Sequence, residues 1–314
     1  CIGEYNDMIH KRITGSKSYV KEKYMTLTIL ENSYEEAVKR FDRIENDTLS
    51  LLRQMGCGTH QLNRSQRLAL LREYYRPDDL SAISEQKSIR TGIYGKDLIA
   101  PYSIDTSDDH YLKLGDDYVQ CLFVSDFPQD LSDDFMRDIT DIDRDMFITL
   151  NIQPQDPVFA IKETEKRLKR MDTEKYNVFA RQSKAGVLVP EAPRELVHMI
   201  ENAESFLKAL RTRNEKMFLA NILIMIRGKS KKEIDLAASE VAAPAKKNGC
   251  TVKPFSFDHE NALNSIVPLG RNDTFVKRTF TTTSLSAFIP FNVVEIVQPT
   301  GFSYGKNSLS NNVL

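Results

Sequence analysis

Neither sign of charge is in excess in this sequence: 43 Lys and Arg face 44 Asp and Glu across 314 residues, a formal net charge of -1. That balance excludes a global basic field able to hold DNA, RNA or an anionic membrane, so any contact with a polyanion must be local. Long hydrophobic runs are missing too. The longest, LANILIMI (residues 219–226), is interrupted by Asn221 and falls far short of the roughly 20 apolar residues that a spanning helix needs. Cysteine is scarce, and Cys1, Cys57, Cys121 and Cys250 include no C-x-x-C pair. This excludes a disulfide framework and fits buried thiols in a reducing compartment. The five histidines, His10, His60, His110, His198 and His259, are scattered without metal-ligand spacing, and no G-x-S-x-G nucleophile turn occurs.

What is present is the composition of an ordinary folded chain, 41% hydrophobic and 28% charged, enough for one large core or two modest ones. Cys1 stands where an initiator Met would, as it would in a processed lipoprotein. The opening CIGEYNDM reads instead as a cut from a longer chain.

One unit occurs twice. The first copy is the strand-like YMTLTIL (residues 24–30), then Ser33 with Glu36 three residues on, the pattern of a capping box. Apolar positions from Tyr34 through Val38, Phe41, Ile44, Leu52 and Met55 follow at three- and four-residue spacing, one face of a long helix. Gly56, suited to a left-handed helix terminus, ends it, and Cys57 begins an extended piece. The second copy is FLANILIMI (residues 218–226), Ser230 with Glu233, a helix through Ile234, Ala237, Val241 and Ala245, then Gly249, Cys250 and the strand TVKPFSF. The shared order predicts two βαβ units of ferredoxin-like type, each a parallel pair joined by a crossover helix.

Between them, DYVQCLFVSDF (residues 117–127) and DMFITLNIQ (residues 145–153) flank a short helix begun by Ser132, Asp133 and Asp134. Asp156 and Pro157 cap and open a long helix with Val158, Ile161, Leu168, Met171 and Phe179 on its apolar face. A proline-containing turn leads to a second helix through Leu196, Ile200 and Leu207, and the two predict an antiparallel hairpin. The fold class expected is α+β, with ferredoxin-like βαβ units in antiparallel or mixed sheets and an inserted helical hairpin. Four segments follow: a partial βαβ subdomain over 1–76, a linker over 77–116, a β-α-β, hairpin, β-α-β subdomain over 117–270, and a segment over 271–314 leading toward a further domain.

Candidate chemistry is sparse. RGKSKK (residues 227–232) contains the Gly-Lys-Ser of a phosphate-binding loop between a strand and a helix, but the glycine needed five positions before Gly228 is Leu223. A helix cap by Ser230 and Glu233 accounts for the tripeptide, and a nucleotide-binding enzyme using it stands as an alternative to be tested. Asp141, Asp143 and Asp145 alternate as in a calcium loop, yet Met146 and Ile152 occupy the positions of its turn glycine and bidentate glutamate. This predicts a charged turn before a strand. KRLKR (residues 166–170) lies among Glu163, Glu165, Asp172 and Glu174, so its charge is mostly compensated in sequence.

The C-terminal quarter carries a resemblance. AFIPFNVVEIVQPTGFSYGKNSLSNNVL resembles the segment that enters the motor domain in the large type IV secretion and conjugal-transfer ATPases of the TraE/TraC/CagE-like family. Its features are the apolar step at residues 288–291, then Pro299 and Gly301, then Tyr304, Gly305, Asn307 and Ser310. NSIVPLG (residues 264–270) resembles the family's Leu-Pro-x-Gly turn, and KRTFTTTSLSAF (residues 277–288) its Arg-x-x-Thr approach. The region around YMTLTILENSYEEAVKRF is similar to its N-terminal part. The resemblance implies an N-terminal domain, cut before the Walker A motif, that docks an ATPase to its membrane complex and supports its oligomer. Pro299, Gly301, Tyr304, Gly305, Asn307 and Ser310 would then form the domain junction. No catalytic, cofactor-binding or metal-binding residue is implied in this chain; ATP and Mg would belong to the motor domain. The partners implied are the chain's own C-terminal ATPase domain, inner-membrane subunits of the transfer complex and further copies of the protein, without direct nucleic-acid binding. The location implied is cytoplasmic, peripheral at the inner face of the membrane. A stand-alone ferredoxin-like adaptor or degenerate ATPase relative is the alternative.

Overall fold

The computed structural model describes residues 21–79, 90, 92–128, 131–132, 134–186, 191–212 and 215–289. The N-terminal part is helical: α1 (Tyr34–Gln54), α2 (Arg64–Tyr75) and the short α3 (Gly95–Ile99). Two short strands, β1 (Ile104–Asp105) and β2 (Leu112–Leu114), lead into the long β3 (Asp117–Asp126). Then come α4 (Asp134–Thr140) and β4 (Met146–Pro154), followed by the helical arm α5 (Pro157–Lys184) and α6 (Arg194–Thr212). The chain returns through β5 (Met217–Gly228), α7 (Lys231–Lys247) and β6 (Thr251–Pro254). It closes with α8 (His259–Ile266), β7 (Arg278–Thr281) and α9 (Thr282–Ser286).

The seven strands form one sheet in the order β1-β2-β3-β5-β4, with β6 beside β3 and β7 beside β5, and every pairing is antiparallel. This is the expected α+β fold with ferredoxin-like units, and it refines the expected pairing. β5 and β6 run parallel to each other, as do β3 and β4, but neither pair is hydrogen-bonded. β3 lies between β5 and β6, and β5 lies between β3 and β4, so the units β3-α4-β4 and β5-α7-β6 interleave and each closes the other's gap.

Side-chain alternation assigns the two faces. Ile222, Ile224 and Ile226 of β5, with Leu122 and Val124 of β3, meet Phe135 and Ile139 of α4 and Ala237, Val241 and Ala245 of α7. Leu223 and Met225, with Val119 and Cys121, meet Leu70, Leu71 and Tyr74 of α2 and Leu263 and Ile266 of α8 on the other face. Helices on both faces explain why β5 reads as a nearly continuous apolar run rather than an alternating one.

Both Gly-Cys dipeptides close helices in the same way. Cys57 N–H donates to Leu52 O and Gly56 N–H to Arg53 O, while Cys250 N–H donates to Ala245 O and Gly249 N–H to Lys246 O. These are paired Schellman bonds, and each glycine takes a positive φ, +77° and +73°.

Three expectations are corrected. Residues 24–30 form no strand, and with no strand among the described residues of 1–76 the first expected βαβ unit is not formed: 24–30 bear β-favouring side chains but have no ladder, and Leu30 is 94% exposed. Propensity without a partner and a face to bury does not make a strand. Ser33 holds the N-cap position of α1 without a side-chain cap bond, so the capping box expected there is absent. The 77–116 stretch, expected as a linker, supplies β1 and β2, and α2 packs on the sheet of the 117–270 segment.

Asn221, the residue that interrupts the apolar run, is 2% exposed. Its Nδ2 donates to Thr274 Oγ1 and Val276 O, each at 2.8 Å, and its Oδ1 accepts from Asn151 Nδ2 at 3.1 Å. Asn151 Nδ2 also donates to Ser265 O at 3.0 Å. The amide thus ties β4, β5, the end of α8 and the 272–276 loop together. Asn221→Leu strands these groups without partners, and urea unfolding should show a loss of about 2–4 kcal/mol with an unchanged m-value.

Candidate functional site

The turn between β5 and α7 is RGKS. Ser230 caps α7, its Oγ accepting from Glu233 N–H at 3.3 Å, and the Glu233 carboxylate reaches back to accept Lys229 N–H at 2.9 Å. The cap expected from sequence is formed, and an anionic group of the chain itself sits at the helix N-terminus, where a phosphate would need free amides. The packing at Gly228 is close: a Cβ there would lie 3.1 Å from Glu233 Oε2 and 3.2 Å from Ile234 Cγ1, so these side chains would have to shift by a few tenths of an ångström. Lys229 Nζ lies 2.6 Å from Asp117 Oδ1 and 3.2 Å from Asp78 Oδ2. Asp117 first and Asp78 second raise its pKa. The amide and the ammonium that would grip a nucleotide phosphate are both engaged by carboxylates, so these residues do not fit one.

A second cluster adjoins the turn and has no signal in sequence spacing. Lys231 pairs with Asp108, and its ammonium lies 5.0 Å from the ring centre of Tyr111. The Tyr111 hydroxyl donates to Asp235. His259 Nε2 is 3.1 Å from Asp108 O, and Ser256 Oγ is 3.2 Å from His110 Nδ1. Phe257 N–H donates to Asp109 O, with Phe257 at φ +58°, a left-handed conformation that bulky side chains rarely take. The arrangement clasps the loop before β2 to the loop before α8. It brings His110 and His259 onto a hydroxyl and a backbone carbonyl. No cluster of three or more His, Cys, Asp or Glu able to hold a metal occurs among the described residues. The alternating aspartates behave as the expected charged turn before β4: Asp141 pairs with Lys21, and Asp145 Oδ2 lies 3.5 Å from Arg227 Nε.

The approach to the expected junction is built into the sheet. β7 pairs with β5, setting Phe280 opposite Phe218. Arg278 donates from Nε to Ser125 O at 3.0 Å and reaches Asp126 Oδ1 at 3.2 Å. Phe288, the first residue of the apolar step, is buried edge-to-face against Phe280 at 5.2 Å and Phe127 at 5.5 Å. The junction residues themselves, Pro299, Gly301, Tyr304, Gly305, Asn307 and Ser310, lie outside the described residues.

The arm forms as expected, with one change of face. Asp156 caps α5 by accepting Phe159 N–H at 2.9 Å, and Pro157 opens it. The buried residues of α5 are Ala160, Thr164 and Met171 rather than Val158 and Ile161, and Met171 with Leu168 packs against Leu196, Ile200 and Ala203 of α6. Val158 is 60% exposed. The two helices make their substantial packing with each other and not with the sheet, so the arm projects. Among the described residues no helix is long and apolar enough to cross a membrane.

Two outcomes test this account. Isothermal titration with ATP should give no measurable heat, and Lys229→Ala should leave that unchanged. Lys231, then the His110 amide, hold the Asp108 carboxyl down to about 2, against roughly 3.9 in an unfolded chain. A depressed carboxyl contributes stability above its unfolded value that is lost as pH falls through its folded value. The melting temperature of Asp108→Asn should therefore fall less steeply than that of the parent between about pH 4 and pH 2.

No protein-family model matches the chain, and no curated protein is significantly similar to it.

Proposed function

We propose that this chain is the N-terminal docking and oligomer-supporting domain of a type IV secretion or conjugative DNA-transfer ATPase, mediating its attachment to the membrane transfer complex from the cytoplasmic side. The observation that carries the reading is the ordered series NSIVPLG, KRTFTTTSLSAF, the apolar step from Phe288, and then Pro299, Gly301, Tyr304, Gly305, Asn307 and Ser310. Two features of the fold support it. The segment approaching the expected junction is clamped to the central sheet by β7, Arg278 and Phe288, as a rigid connection to a motor requires. The helical arm stands off the sheet and offers an extended surface for docking.

In this proposal ATP and Mg belong to the motor domain, and inner-membrane subunits and further copies of the protein are the partners. The RGKS turn is not the nucleotide site in this proposal: Glu233 accepts the Lys229 amide, and Asp117 and Asp78 pair with its ammonium.

Sequencing the source DNA beyond the codon for Leu314 and upstream of that for Cys1 tests the proposal. An open frame running into a G-x-x-x-x-G-K-[ST] loop is expected about 20–30 residues downstream. A stop codon directly after Leu314 would overturn the motor assignment and leave a non-catalytic adaptor.

A further inference from the structure

On the outward face of α5 cations outnumber acids. At 100° per residue, Lys162, Lys166, Lys169 and Arg170 of α5 fall within roughly 120° of arc together with Phe159 and Tyr176. This arc is nearly opposite the buried line of Ala160, Thr164 and Met171, so it points away from α6. All four cations are exposed, and none has a carboxylate partner among the described residues. Two acids border the stripe: Glu165, which is taken by Arg211 of α6, and Glu163, which falls next to Arg170. Asp172 and Glu174 fall roughly 40° beyond its edges. The four cations line a shallow depression of about 320 Å³ together with Glu165 and Thr173.

Aromatic side chains stand at both ends of the stripe, Phe159 53% and Tyr176 72% exposed, roughly 25 Å apart along the axis. A straight face with cations in the middle and exposed aromatic groups at its ends matches a flat anionic surface, which can take every one of these groups at once. A duplex offers phosphates on a curved surface and no apolar layer for the rings. Single-stranded nucleic acid would stack on neighbouring aromatic groups rather than on two this far apart.

We propose that the outward face of α5 lies on the anionic phospholipid headgroups of a membrane, the cations meeting phosphates and carboxylates while Phe159, Val158 and Tyr176 enter the interface. The inference deepens the docking reading by giving the arm a lipid partner, yet the two fail separately. A stop codon after Leu314 does not bear on lipid binding, and loss of lipid binding leaves docking through protein subunits untouched.

The test is co-sedimentation of the full 314-residue chain with vesicles of phosphatidylcholine alone or of an equal mixture of phosphatidylcholine and phosphatidylserine. Binding is expected to the mixed vesicles only and to weaken with salt. Replacing Lys162, Lys166, Lys169 and Arg170 with Gln should lower it about a hundredfold or more. The same number of changes elsewhere, Lys39→Gln, Lys216→Gln, Lys232→Gln and Lys246→Gln, should change it little. If circular dichroism shows that the arm variant has lost helix, the pair Lys162→Gln and Arg170→Gln gives the same readout with a smaller loss. Equal binding to neutral vesicles, equal loss in both quadruple variants, or displacement of the chain from vesicles by a single- or double-stranded oligonucleotide at matched charge would overturn the proposal.

Discussion

β5 is buried on both faces and paired on both edges, and the other described elements around the sheet are arranged by that requirement. A strand inside a core cannot leave its amide and carbonyl groups without partners, since each one stranded costs kilocalories rather than tenths. β4 therefore runs along one edge over Phe218 to Ile226, while β3 and β7 divide the other between them. The two faces are closed by α4 and α7 on one side and α2 and α8 on the other. The one polar side chain that points into this environment from the middle of β5, Asn221, is tolerated because Thr274, Val276 and Asn151 meet it. The same bonds fix the loop that delivers β7 to its place.

Satisfaction of polar groups also decides the chemistry of the RGKS turn. Amides at a helix N-terminus and a nearby lysine make an anion site only while they are free. Here Glu233 takes an amide and Asp117 and Asp78 take the ammonium, so a turn that resembles a phosphate loop is a strut between the sheet and the segment after α2. The arm shows the converse. Its helices bury a thin seam against each other, and its outward cations keep no carboxylate among the described residues, which leaves charge available to a partner.

Much of the architecture was legible because its signals are local. Asp156 with Pro157, Ser230 with Glu233, and the two Gly-Cys helix ends are short-range bonding patterns, and each is found in place. Other features depended on residues far apart. Residues 24–30 carry a strand's composition without a ladder, and the strand β2 arose in a stretch whose glycines and acidic residues suggested a linker. The clasp of His110, Ser256 and His259 with Asp108 unites loops on either side of the whole βαβ array, so no spacing rule could announce it. KRLKR lies on an exposed helix face, as its sequence setting suggests, and what the spacing did not show is that Arg211 of α6 takes Glu165.

By itself, then, the sequence determined the long helices α1, α5, α6 and α7, the caps at Asp156 and Ser230, the two Gly-Cys ends, the α+β class and the absence of a complete phosphate loop, since these follow from contacts within a few residues. The tertiary structure alone decided that the two βαβ units interleave, which face of α5 is buried, how the RGKS donors are consumed, and where the unpaired charge of the arm points. Those outcomes depend on which distant groups compete for the same amide, edge or face, and that competition is settled only when the chain is packed.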